Sequence, residues 1–397
     1  MFYNERAYGL GSKRSVIREI FEYGKKRKKE IGADNVFDFS LGNPSVNPPE
    51  KVTETLKKML ETDNPTLLHG YTSAVGDPET RTAIAEYVNK TYNGGLKPEL
   101  IYMTCGAAAS LTISLSAVLN DGEECIVFAP YFTEYKVFVE NARGKLVISK
   151  PESGTLQIDE MDFESKITEK TRAVIVNSPN NPSGVVYTED KIKILCEILK
   201  RKEKEYGSVI YLISDEPYRE LVYGNIKVPY LTKYYNDTIV CYSYSKALSL
   251  PGERIGYIAV SPLMTNAEKV YNSICGAGRS LGYVCAPSLF QKLIASCVDA
   301  KVDVSIYEEN RNILYNGLVE YGYKCVQPDG AFYLLVKSFE QNADLFCEKA
   351  KKYELLLVPC DDFGLDGYVR IAYCVDKKTI INSMPQFKKL SEEYNAK

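Results

Sequence analysis

The chain has 397 residues, more than one ordinary hydrophobic core serves, so two domains or one large α/β unit are expected. Hydrophobic residues make up 45% and charged residues 25%, and a formal net charge of -3 gives no general attraction to nucleic acid or to an anionic membrane. One histidine, His69, and no tryptophan leave no room for a histidine triad or a multi-histidine metal site, so no metal is expected. Acid–base chemistry must then come from Lys, Tyr, Asp or Cys, or from a cofactor. The eleven cysteines include no C-x-x-C pair and read as reduced thiols. The N-terminus lacks the apolar core of a signal peptide, and no run reaches the roughly 18 apolar residues of a membrane span. A cytoplasmic protein is expected, with no nucleic-acid or membrane partner.

In chain order, residues 13–31 read as a basic amphipathic helix whose run Lys25-Lys26-Arg27-Lys28-Lys29 is a solvated face. The break Asn43-Pro44-Ser45-Val46-Asn47-Pro48-Pro49 reads as a hinge. Short continuous apolar runs then follow at 125–128, 173–176, 209–213, 238–242 and 255–260, with helical patterns between them at 111–119 and 190–206. Runs without alternation suit strands buried on both faces, the mark of a largely parallel sheet covered by helices. From about 285 a long helical stretch leads to strands at 331–336, 355–358 and 368–372, taken as a second, smaller domain.

Four motifs stand at the ends of predicted strands, where ligands bind in such sheets. Thr104-Cys105-Gly106-Ala107-Ala108-Ala109-Ser110 opens a helix with small residues and exposes free N–H groups to an anion, as many helices do. Asn177-Ser178-Pro179-Asn180-Asn181-Pro182-Ser183-Gly184 is a rigid turn or a loop that presents the Asn181 amide. Ile213-Ser214-Asp215-Glu216-Pro217-Tyr218 ends a buried strand on an aspartate that needs a cationic partner, unless it caps a helix. Tyr242-Ser243-Tyr244-Ser245-Lys246 places a lysine after a buried strand, suited to a Schiff base with an aldehyde cofactor, and Arg254 follows eight residues later as a phosphate fork with the Ser243 hydroxyl.

Together, in this order, these motifs resemble the class I/II aminotransferases of fold type I, over nearly the whole chain from Leu41-Gly42-Asn43-Pro44 to Val369-Arg370-Ile371-Ala372. The resemblance implies an α/β fold in which a large domain with a mostly parallel central sheet (46–284) is joined to a smaller α/β domain built from both chain ends, an arm at 1–45 and a C-terminal part at 285–397. It implies pyridoxal 5'-phosphate as cofactor and a ping-pong exchange of the amino group between an L-amino acid and a 2-oxo acid such as 2-oxoglutarate. Lys246 then holds the cofactor and shuttles the Cα proton. Asp215 pairs with the pyridine nitrogen, Tyr218 and Asn181 meet the phenolic oxygen, and Phe132 stacks on the ring where many relatives have Trp. Ser243, Arg254 and the backbone of Ala107 and Ala108 form the phosphate cup. Arg370 grips the substrate α-carboxylate, and Gly42 belongs to a segment that closes on substrate. Tyr71 reaches the phosphate of a neighbouring subunit, so a homodimer is implied. Arg279 is a candidate for a substrate side-chain carboxylate, or an interface ion pair; aspartate leads, with aromatic or broad substrates open. Two alternatives share the site: a C–S β-lyase releasing pyruvate and ammonia, and a non-catalytic regulator.

Overall fold

A computed structural model of the protein describes residues 2–12 and 15–395. After a first helix, Glu5–Ser12, the expected basic helix spans Val16–Ile31, capped by the Ser15 hydroxyl accepting from the Arg18 N–H; residues 13 and 14 lie outside the described ones. Its basic run is not wholly solvated as expected. Lys28 pairs with Asp38 at 3.3 Å, which clamps the helix to a short strand, β1 (Phe37–Asp38), and Arg27 pairs with Glu354 at 2.7 Å, which ties it to the C-terminal part of the chain.

The large sheet has seven strands: β2 (Ile101–Thr104), β3 (Glu124–Phe128), β4 (Lys145–Ser149), β5 (Thr171–Asn177), β6 (Tyr211–Asp215), β7 (Thr238–Ser243) and β8 (Gly256–Val260). Their order is β2-β8-β7-β6-β5-β3-β4, with β8 antiparallel to both neighbours and every other pairing parallel. The five apolar runs in this region are all strands, while β2 and β4 fall outside those runs; β4 is a half-exposed edge strand with only Ser149 buried, so it carries no continuous apolar signal.

Both faces are covered, which is why the central runs show no alternation. Ile126, Val174 and Leu212 point to one face, beneath the helix Glu189–Tyr206, which starts on a Thr188 cap and ends where Gly207 takes φ 64°. Val127, Ile175 and Ile213 point to the other, beneath the helix Ala107–Val118. At roughly 25 cal/mol per Å² of apolar surface, this double coverage is the main stabilising contribution to the unit.

The stretch after 285 is two helices rather than one. Ser288–Cys297 buries Leu293, Ile294 and Cys297 among Val52, Ile84 and Val240, so it packs with the large sheet although it lies beyond the 284/285 boundary. Ser305–Glu320 packs instead against the last helix, Lys377–Asn395, behind the small sheet. That sheet is antiparallel, with β9 (Lys324–Val326), β10 (Tyr333–Lys337), β12 (Val358–Pro359) and β13 (Tyr368–Ala372) in the order β12-β13-β10-β9. The single strand expected at 355–358 is split. Its first half, β11 (Leu355–Leu356), pairs with β1 in parallel, and its second half joins the small sheet as β12. Both chain ends thereby meet. Among the described residues no helix is long and apolar enough to cross a membrane.

Gly256 shows how tightly the large sheet is built at its functional end. A Cβ there would overlap the Tyr242 carbonyl oxygen and stand 3.0 Å from the Gly106 Cα, both backbone atoms. Gly256→Ala is expected to cost about 1–3 kcal/mol in urea unfolding; an unchanged midpoint would show that the strand can yield.

Candidate active site

Three adjacent parallel strands end on polar residues: β5 on Asn177, β6 on Asp215 and β7 on Ser243. The register sets Asn177 beside Asp215 and Ser243 beside Gly256. Over these ends lies a cavity of about 570 Å³ lined by Gly42, Ala107, Ala108, Phe132, Asn181, Asp215, Tyr218, Ser243, Lys246, Arg254 and Arg370. Of the residues expected from sequence, only Tyr71 and Arg279 are absent from its lining. Tyr71 is 98% exposed, and Arg279 is exposed in the last turn of the helix Ala267–Ser280.

Asp215 is 5% exposed. Its Oδ2 accepts the Tyr135 hydroxyl at 2.5 Å, while Oδ1 is buried without a partner. Burial pushes its carboxyl up to about 7; the Tyr135 bond pulls the other way, and neighbouring Glu216 adds to the rise. Asn177 ties the neighbouring loop to this strand. Its Nδ2 donates to the Asp215 carbonyl at 3.0 Å, and its Oδ1 accepts the Asn181 N–H at 2.7 Å.

Lys246 follows β7 in the one-turn helix Tyr244–Ala247 and donates from Nζ to the Gly42 carbonyl at 2.7 Å. Burial lowers its pKa to about 8; the Arg254 and Arg370 cations act in the same direction and Cys374 opposes them. A neutral amine is therefore well populated in mildly alkaline solution, the state a nucleophile or base requires.

Beside it the helix Ala107–Val118 follows Gly106, which holds φ 89° and, having no side chain, sets no cap over the first N–H groups. A Cβ on Gly106 would stand 2.9 Å from Arg254 Nη2, so the glycine lets the guanidinium lie along the backbone. Arg254 itself holds φ 52°, a left-handed conformation uncommon for a residue with a side chain. Ser243 and Ser245 join hydroxyls at 2.7 Å next to it. Free N–H groups, a guanidinium and two hydroxyls converge as a cradle for a phosphate-like anion.

Arg370, from β13, crosses from the small sheet. It is 2% exposed and donates only to neutral oxygens, Asn181 Oδ1 at 3.2 Å and the Ser40 carbonyl at 2.7 Å; its Nε has no partner. A buried guanidinium without a counter-anion is a site for a carboxylate.

Sequence reasoning missed several residues of the site. Tyr135, which does not line the cavity, falls three positions after Phe132, in the helix Glu134–Asn141, and only folding brings it to Asp215. Ser245 lies inside the recognised lysine motif. Tyr333 opens β10, and Arg18, Phe21 and Glu22 reach the mouth from the N-terminal helix. No local pattern marks any of these four.

Comparison with known proteins gives a consistent picture. A family model described as Aminotransferase class I and II matches residues 34–383. The chain is 29% identical over 394 residues to an aspartate aminotransferase of Pyrococcus horikoshii, covering 96% of this chain and 95% of that relative. It is 30% identical over 394 residues to a probable aspartate aminotransferase of Methanocaldococcus jannaschii, covering 96% and 98%. Among solved structures it is similar to an amino transferase from Eubacterium rectale, with 54% identity, full coverage of both chains (100% each) and a TM-score of 0.98. It is also similar to the aspartate aminotransferase of Thermus thermophilus with maleate, with 25% identity, coverage of 98% and 100%, and a TM-score of 0.85.

The Asp215 environment predicts a pH-dependent stability. Its folded pKa of about 7 lies above the ordinary 3.8, so between these values the folded protein binds more protons than the unfolded one. Without a bound cation, stability therefore falls as pH rises through this window. Asp215→Asn is expected to stabilise the ligand-free protein by about 2–4 kcal/mol near pH 8, with the gain vanishing towards about pH 4. A gain independent of pH in thermal unfolding would refute the assignment.

Proposed function

The chain belongs to the class I and II aminotransferases, and on that premise we propose that it uses pyridoxal 5'-phosphate to pass the amino group of an L-amino acid, aspartate foremost, to a 2-oxo acid such as 2-oxoglutarate. The observation that carries the cofactor assignment is the buried, unpartnered Oδ1 of Asp215, a residue that lines the cavity together with Lys246. A protonated pyridine nitrogen supplies the cation that this oxygen lacks. The cradle of Ala107, Ala108, Ser243, Ser245 and Arg254 suits the phosphate, Tyr218 and Asn181 the phenolic oxygen, and Phe132 one face of the ring.

When bound, the cofactor's protonated ring acts as the electron sink that lets the substrate Cα proton leave. The chain's own residues do the rest. Arg370 holds the α-carboxylate and fixes the direction of the Cα–H bond. Lys246, with its pKa lowered to about 8, accepts the Cα proton at Nζ from within the same cavity. Its bond to the Gly42 carbonyl links that amine to the segment before the helix Glu50–Thr62. Aspartate is favoured because relatives spread over most of the chain are named aspartate aminotransferases.

Tyr71 and Arg279 belong to the same proposal as residues that serve the cavity of a second copy, in keeping with their position on the outer surface. The proposal also keeps the division into an arm (1–45), a cofactor-binding domain (46–284) and a small domain (285–397), with the helix Ser288–Cys297 counted with the large sheet it packs on. A cytoplasmic location accords with eleven free thiols.

The test is the visible spectrum of the protein loaded with pyridoxal phosphate. We expect a visible band that falls on addition of L-aspartate and returns with 2-oxoglutarate; a band unmoved by aspartate while pyruvate accumulates from a cysteine conjugate would make the protein a lyase instead. Lys246→Ala should abolish turnover in a folded protein. Arg279→Ala should raise the KM for aspartate about tenfold or more relative to alanine or tyrosine, the loss of one charged contact; equal effects on all three would remove it from substrate recognition.

A further inference from the structure

Tyr333, which no sequence motif singles out, meets several parts of the site at once. It is buried at the start of β10, on the small sheet, and its hydroxyl lies 3.0 Å from that of Tyr218. The two rings cross at 81° with centroids 5.8 Å apart. The Arg370 guanidinium sits 4.6 Å over the Tyr333 ring. A Cβ on Gly42 would overlap the Tyr333 hydroxyl, and the Gly42 carbonyl is the acceptor of Lys246. One side chain therefore contacts Tyr218, the carboxylate-binding arginine and the segment that holds the lysine.

A tyrosine hydroxyl has a single proton, so only one member of this pair donates to the other. Among the described residues neither hydroxyl has another hydrogen-bond partner. If Tyr218 donated to Tyr333, its lone pairs would face the cavity and repel an anionic oxygen there. If Tyr333 donates, the Tyr218 proton is free to point into the cavity. The cation stacked on Tyr333 draws charge from its ring and makes its hydroxyl the better donor. Arg370, Asp215, Lys246 and Cys374 are the other charged or titratable groups facing the pair, and none of them bonds to either hydroxyl.

We propose that Tyr333 is a positioning residue: it donates to Tyr218 and so directs the Tyr218 proton onto the phenolic oxygen of the bound cofactor. This rests on the cofactor reading above. A donor chained to a second donor is strengthened, so Tyr333 tunes the site without touching the reacting atoms. Weaker donation by Tyr218 leaves more negative charge on the phenolic oxygen. That charge holds the proton on the neighbouring lysine–cofactor nitrogen more tightly and raises its pKa.

The experiment is a pH titration of the visible band of the pyridoxal-phosphate-loaded protein as wild type, Tyr333→Phe, Tyr218→Phe and the double variant. Tyr333→Phe keeps the ring against Arg370 and removes only the hydroxyl. We expect it to raise the midpoint by about half to one pH unit, the effect of one neutral hydrogen bond, and Tyr218→Phe to raise it further. Added to the Tyr218→Phe variant, Tyr333→Phe should then change nothing, because its route is gone. An unmoved midpoint in the single variant, or the same shift in both backgrounds, overturns the proposal. A wild type with no visible band at all overturns the cofactor reading, and this inference with it.

Discussion

A carboxylate at the end of a strand covered on both faces is the constraint around which the rest of this structure is arranged. Asp215 is buried, and only one of its oxygens is satisfied, by Tyr135. An uncompensated buried charge costs several kcal/mol, so the ligand-free carboxyl holds its proton up to about pH 7. The neighbouring strand ends are committed to keeping it there. Asn177 binds the Asp215 backbone from one side, and β7 runs alongside on the other, delivering Ser243 and Lys246 to the same cavity. The parallel register matters because it brings several strand ends to one edge of the sheet, where a single ligand can meet all of them.

The small sheet supplies the complementary constraint. Arg370 is as buried as Asp215 and equally short of a counter-charge, with only neutral oxygens for partners. One cavity thus contains an unneutralised acid at its floor and an unneutralised base on its wall. The arrangement suits a bound cationic heterocycle and a carboxylate-bearing substrate present together. Neither sheet could provide this alone. The acid needs the closed core of the large sheet to desolvate it. The base needs a separate element to hold it across the gap, far enough away that the two do not neutralise each other.

The N-terminal segments connect these two halves. β1 pairs with β11, and Arg27 is clamped to Glu354, so the chain start is bound to its C-terminal third. Between that anchor and the large sheet runs the stretch around Gly42, pressed against Tyr333 and bonded to Lys246. The small sheet thus meets the segment that holds the lysine where Tyr333 presses on Gly42, and meets Tyr218 through the Tyr333 hydroxyl.

Much of this was legible in the chain itself. The continuous apolar runs at 173–176 and 238–242 could satisfy themselves only as strands buried on both faces, and an aspartate at the end of one such strand, a lysine just after another and an arginine just before a third had few bland explanations in combination. What failed did so for physical reasons. The edge strand β4 is half solvated and has no apolar run to betray it. The segment 355–358 carries one unbroken apolar pattern, yet its two halves pair with different partners. Sequence alone determined the double-covered parallel sheet and the polar residues at its strand ends, because burial periodicity and motif spacing are local properties. Only the tertiary structure decided that Tyr135 completes Asp215, that Tyr333 meets Tyr218, and that Arg279 stays outside the lining of its own chain's cavity. Those relations join residues 80 and 115 positions apart in the first two cases, and such pairings are set by how the sheets and helices pack, not by anything written between them.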